Sequence, residues 1–243
     1  MKMKLAPWLA FLHKWIGLII GIQIVLWMCG GLVMSVFPIE TVRGEHNIRE
    51  QDPVFLTASD LATPLAPILA EFAPDGVEAV TAKTLLGRPV YDLDRTIGGH
   101  LLVDARTGGA LSIDEGVVRA LARADFAGEA PIEEIALIHE TNVEYRGPTP
   151  AWRVRFSDEE STRLYFLPDS GRLVARRNDT WRLYDFFWML HIMDYENRTD
   201  FNNPLVITAA AFALFTVLMG FGLMFFRLRF KDWRVMFARR PRG

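Results

Sequence analysis

The sequence predicts an α+β membrane protein, with two transmembrane helices flanking a central domain built from two repeats of a helix-plus-antiparallel-sheet unit. Three observations carry that prediction. Two 23-residue runs, 15–37 and 204–226, contain no charged residue, and each is long enough to cross a ~30 Å hydrocarbon layer as a helix. Between them, helical periodicity followed by alternating strand patterns occurs twice, the signature of a repeated unit. Charge is also segregated along the chain. Residues 1–14 carry Lys2, Lys4 and Lys14 and no acid, and residues 227–243 carry seven Lys or Arg against Asp232 alone, whereas 15–226 hold 17 basic and 28 acidic residues.

Lys and Arg flanking a span stay on the cytoplasmic side. Both termini are therefore expected in the cytoplasm and the acidic middle outside. The first run is read as a retained span. It exceeds the h-region of a signal peptide (about 7–15 residues), and no Ala-x-Ala-like site follows it. Leu26-Trp27-Met28 before Cys29 also lacks the small residues of a lipidation site. Cys29 is the lone cysteine, so no intramolecular disulfide is available and the fold depends on packing.

The expected organisation follows in order. A cytoplasmic N-terminus (1–14) leads into the first span (15–37) and a linker (38–56). The first repeat, 57–127, opens on TASDLATPLAPILAEF, where Leu61, Leu65, Leu69 and Phe72 fall at helical spacing, interrupted by Pro64 and Pro67. VEAVTAKTLL, RPVYDLD and GHLLVD read as strands, Ala105-Arg106-Thr107-Gly108 as a turn, and GALSI as a return strand. Asp114 is set to cap a further helix through about Phe126. The second repeat, 131–180, is predicted to open with a short helix over PIEEIALIHETN, on the strength of Pro131 and acids in a first turn. AWRVRFS, STRLYFL and RLVARRN follow as strands around the turn Pro168-Asp169-Ser170-Gly171. An interfacial helix and loop (181–203), the second span (204–226) and a basic cytoplasmic tail (227–243) complete the chain. Phe230, Trp233 and Phe237 suit that tail to an anionic lipid surface.

LHKWIGLIIG, VDARTGGAL, FLPDSGRLV and WMLHIMDYE, in that order, resemble the PepSY domain and the PepSY-associated transmembrane helix family, over nearly the whole chain. The resemblance implies a bacterial inner-membrane protein with a periplasmic binding or regulatory module, accessory to iron uptake or another envelope system. Larger relatives carry more spans and reduce ferric siderophores with haem held by membrane histidines. The alternative reading is accordingly a haem-b-containing electron-transfer subunit, acting as a dimer or with a redox partner. A peptidase inhibitor, the use that gave such modules their name, is a third reading, and no residue here points to a protease.

His13 and His191 are the candidate haem ligands. His13 precedes Pro38 by 25 residues, ~37 Å of helix, and so falls at the inner interface. His191, on the apolar segment YDFFWMLHIM ahead of the second span, falls at the outer one. These two cannot grip one iron within one chain, because bis-histidine ligation needs both rings at one depth. Both also suit an interfacial role beside Trp8, Trp15, Trp181 and Trp188. His100 and His139 read as ordinary sheet and helix residues. Gly17 and Gly21 share the face of His13, and with Gly220 on the second span they suit close helix packing, within the chain or with another membrane subunit. Gln23 is a polar residue inside the first span, suited to bonding between helices. No metal-ligand spacing, P-loop, dinucleotide fingerprint or nucleophile elbow is present, and nothing suggests nucleic-acid binding. The cytoplasmic parts are too short to fold around a nicotinamide or flavin, which argues against a self-sufficient reductase.

Overall fold

The computed structural model describes residues 5–227. Lys2, Lys4 and the tail beyond 227, with Phe230, Trp233 and Phe237, lie outside the described residues. The chain divides into a helical unit, 1–37 with 184–243, and a central unit, 38–183. The elements begin with α1 (Leu5–Val36), α2 (Ile39–Val42) and α3 (Leu65–Phe72), followed by β1 (Val77–Leu85), β2 (Arg88–Arg95), β3 (Gly99–Asp104) and β4 (Ala110–Leu111). Then come α4 (Glu115–Asp125), β5 (Ile132–Ile138), β6 (Ala151–Phe156), β7 (Arg163–Phe166), β8 (Leu173–Arg177), α5 (Asp179–Ile192) and α6 (Pro204–Arg227).

In the helical unit, α1 and α6 are long and apolar enough to cross a membrane, with mean hydropathy 2.3 over Pro7–Val36 and 2.2 over Pro204–Met224. The two helices pack through small residues. A Cβ on Gly17 would meet Thr216 Cγ2 at 3.5 Å, and one on Gly220 would meet His13 Cε1 at 3.2 Å. The C-terminal end of α5 lies against the other side of α1. Its last carbonyls lack helical partners, and in an apolar layer each must find one within the protein. Gln23 donates to Leu190 O at 3.3 Å, Trp27 Nε1 to His191 O at 2.8 Å, and Asn203 to Ile192 O at 2.9 Å. Gln23 and Trp27 are one helical turn apart on one face of α1, which is why they serve successive carbonyls.

The central unit holds two four-stranded antiparallel meanders, β1-β2-β3-β4 and β5-β6-β7-β8. Each is preceded by a helix, α3 or α4. The helix of the second repeat is therefore α4, and the segment expected to open that repeat as a helix is instead strand β5. Two causes act together. Ile132-Glu133-Glu134-Ile135-Ala136-Leu137-Ile138 is short and rich in β-branched residues, and its acids meet cross-strand cations, Glu134 with Arg153 at 2.9 Å and Glu133 with Arg155 at 3.1 Å. His139 consequently follows a strand rather than sitting on a helix, while His100 is on β3 as expected. The first helix starts late. Thr57–Asp60 closes a capping box around a short 3-10 turn, and α3 begins only after Pro64, with Pro67 in its first turn where a missing N–H costs nothing.

Two clusters form the core of this unit. Val90 and Leu102 of the first sheet, Val154, Phe156, Leu164 and Phe166 of the second, and Val118, Ala122 and Phe126 of α4 pack as one group. The other face of the first sheet buries Tyr91, Leu93, Val103 and Ala105 against Ile68 of α3. The helix–meander equivalence extends to polar anchors. Tyr91 OH donates to Thr63 O at 3.2 Å and Trp152 Nε1 to Ile113 O at 3.0 Å, each carbonyl lying two residues before its helix. Gly108 and Gly171 both hold the left-handed conformation, φ +75° and +63°, that these turns require.

Candidate functional site

A groove of about 580 Å³ opens on the central unit between the β1–β2 turn, the second half of α4 and the β7–β8 turn. Its apolar lining comes from Leu85, Leu121, Phe166 and Leu173, and its cations from Lys83 and Arg172. The turn at its rim is Leu86-Gly87, two residues with φ +51° and +78°, the backbone of a tight hairpin. Asn, Asp or Gly normally occupies such a first position; a leucine there costs about 1–2 kcal/mol. Leu86 is nonetheless 47% exposed. Strain and an exposed apolar side chain coincide at the mouth of the groove. Leu-Gly within LLGRP is a weak turn signal in the sequence, and the two-residue gap between the strand patterns is the available clue.

Basic residues of the second sheet are largely committed to carboxylates. Glu144, in the loop between β5 and β6, accepts from Arg163 Nη1 at 2.5 Å and Arg182 Nε at 2.7 Å, and Arg176 bonds Asp125 at 2.5 Å. Burial by itself would raise the Glu144 carboxyl, but Arg182 and Arg163 outweigh it and hold the group below its ordinary value. On the first sheet, Asp92 joins Lys83 at 2.6 Å and His100 Nδ1 at 2.9 Å. Burial opposes ionisation of Asp92, and the hydrogen bonds from Lys83 and His100 outweigh it and hold its carboxyl below the ordinary value. These networks fasten strands and loops. No group of three or more His, Cys, Asp or Glu suited to a metal ion occurs among the described residues.

The two candidate haem histidines both lie in the helical unit and differ in what their rings touch. His13 Nδ1 is 3.1 Å from Thr216 O. Because a carbonyl only accepts, the Nδ1–H must donate, leaving Nε2 with its lone pair, the arrangement typical of a metal-binding histidine. His191 Nδ1 is buried without a hydrogen-bond partner. A Cβ on Gly30 would lie 3.7 Å from it. Ligation through Nε2 of His191 would place a proton on that nitrogen, whereas Nε2 of His13 keeps its lone pair while Nδ1–H is satisfied. The structure also keeps them apart. His13 and Gly30 are 17 residues apart on α1, ~25 Å along the axis. Of the expected packing glycines, Gly17 and Gly220 make the contacts given above, and the space beside Gly21 is open to 4 Å.

The loop after α5 is closed around Asp194, whose carboxylate accepts the backbone N–H groups of Asp200, Thr199, Asn197 and Glu196. Those bonds, that from Asp200 foremost, hold its pKa down at about 2. Arg198 from the same loop pairs with buried Asp185. The loop is thereby closed on itself and tied to α5. The chain matches no family model, no curated protein and no solved structure.

Proposed function

We propose that the chain is a small two-span member of the PepSY-associated transmembrane family in a bacterial inner membrane. Its termini are cytoplasmic, and its central unit is a periplasmic binding or regulatory module accessory to iron uptake or another envelope system. The helix-and-meander unit, present twice between two apolar spans, supports the family reading. The observation that carries the binding reading is the groove with Leu86 strained and exposed at its rim. An apolar floor beside Arg172 suits a partner segment combining apolar side chains with a carboxylate. The test is a photo-crosslinking residue placed in the full chain at Leu86 or, as a control away from the groove, at Glu115. One defined adduct from position 86 that is absent from position 115 and lost on Arg172→Glu is the expected result. Adducts of equal yield from both positions, or none, would remove the groove as the binding site. A cytoplasmic reporter fused after Gly243 should be active and a periplasmic one silent.

A second reading, the haem-dependent electron-transfer subunit, is favoured by the His13–Thr216 bond alone. Haem would supply one-electron chemistry, and His13 would hold it from one side through Nε2. The opposite ligand must come from a second copy or another membrane subunit. A reduced-minus-oxidised spectrum of the detergent-purified protein showing a b-type band, lost in His13→Ala and kept in His191→Phe, is the expected pattern. Absence of any such band from haem-replete cells would eliminate this reading for the isolated chain.

A further inference from the structure

The helical unit contains a cavity of about 470 Å³ lined by Trp27, Trp188, His191, Ile192, Phe201 and Val206. Its size is in the range of small-molecule sites, and its make-up is the usual one, mostly apolar with few polar groups. Both indole N–H groups are already committed, Trp27 to His191 O and Trp188 to Arg198 O at 3.1 Å. The imidazole of His191 is the polar side-chain group that is left. Its Nδ1 is buried beside Gly30 with no acceptor. A proton there would be stranded without an acceptor, so the neutral ring carries its proton on Nε2. Nε2–H is then a single donor serving an aromatic cavity.

We propose that this cavity binds the ring of a membrane-soluble quinone, with a ring carbonyl oxygen accepting from His191 Nε2–H. The donor calls for an acceptor oxygen, which excludes a bare acyl tail as a satisfying occupant. Two indoles and Phe201 favour a flat ring over a flexible chain. Val206 at the start of α6 and Ile192 at the end of α5 leave the remainder apolar, as an isoprenoid tail requires. A phospholipid ester carbonyl shares the acceptor chemistry and is the competing occupant. This site does not depend on the groove of the central unit or on haem at His13.

The test uses the full chain in nanodiscs of diether phospholipid, which has no ester carbonyl, photolabelled with an azido-ubiquinone. Labelling on peptides containing Trp27, Trp188 or Phe201, competed by decylubiquinone, is expected. His191→Phe keeps a ring and removes the donor, and should weaken binding about tenfold, as expected for one hydrogen bond lost in a dry site. Val206→Phe fills the cavity from α6 and should abolish labelling while the His191 ring, read by 15N shifts, keeps its Nε2–H form. Labelling that decylubiquinone does not compete, or that survives both variants, overturns the proposal. So does labelling abolished by ester phospholipid at equal lipid content, which assigns the cavity to the lipid ester. An Nδ1–H tautomer in the wild-type spectrum overturns it as well.

Discussion

Trp152 donates its indole N–H to the carbonyl oxygen of Ile113 at 3.0 Å, two residues ahead of α4, and thereby ties the second sheet to the start of its own helix. Tyr91 does the same for the first sheet through Thr63. Trp152→Phe and Tyr91→Phe each remove one such bond and should lower stability by about 0.5–1.5 kcal/mol. Because the two bonds share no partner, the double variant should be close to additive. Denaturant unfolding followed by near-UV circular dichroism measures both values. A loss confined to one variant would show that the two anchors are not equivalent.

Glu144 sets an acid limb on stability. Its carboxyl is depressed in the folded state by Arg182 and Arg163 working against burial. A depressed carboxyl stabilises the fold fully above its unfolded value of about 4.3. That contribution fades as pH falls through the folded value. Glu144→Gln should cost about 1–3 kcal/mol at neutral pH, and its stability should fall less steeply than the wild type's on acidification. Thermal unfolding between neutral pH and the acid range reads both effects, and parallel curves would show that Glu144 does not titrate across folding.

Trp27 and Gln23 donate to the carbonyls of His191 and Leu190 at the end of α5, which lack helical partners. Trp27→Phe leaves His191 O unpaired at a cost of about 1–2 kcal/mol. Gln23→Leu should cost less, since its bond to Leu190 O is longer at 3.3 Å. Steric trapping or detergent unfolding of the full chain gives the ranking, and the reverse order would show that α5 is held by packing rather than by these caps.

Gly220 admits the His13 ring. A Cβ there already approaches Cε1 at 3.2 Å, so Gly220→Leu must displace the imidazole from Thr216 O and should destabilise the α1–α6 contact by about 1–3 kcal/mol. Gly21→Leu, where the space is open, should be near neutral. The pair of measurements separates packing within the chain from packing against a second copy. A large effect at Gly21 would place a partner on that face.

Much of the strand pattern was legible because alternation and turn residues are local signals. The turns that hold Gly108 and Gly171 were recognisable from their Gly, Pro and Asp residues. The misassigned element was Ile132–Ile138, where acids near a proline imitate a helix start. Those acids answer Arg153 and Arg155 on β6, a pairing set by register with a strand beyond a 12-residue loop. The groove was not legible, since Leu86, Leu121 and Arg172 come from three separate elements.

By itself the sequence determined two helices long and apolar enough to cross a membrane, basic stretches beside them, an α+β middle and the positions of the turns. Each of these is a property of one contiguous stretch, expressed through hydrophobic length, charge or period. Only the tertiary structure decided which helix precedes the second sheet and what each histidine ring touches. His13 and His191 are chemically identical in the sequence. Nδ1 of His13 meets the carbonyl oxygen of Thr216, whereas Nδ1 of His191 is buried without a hydrogen-bond partner, because the two rings pack against different helices far apart in the chain.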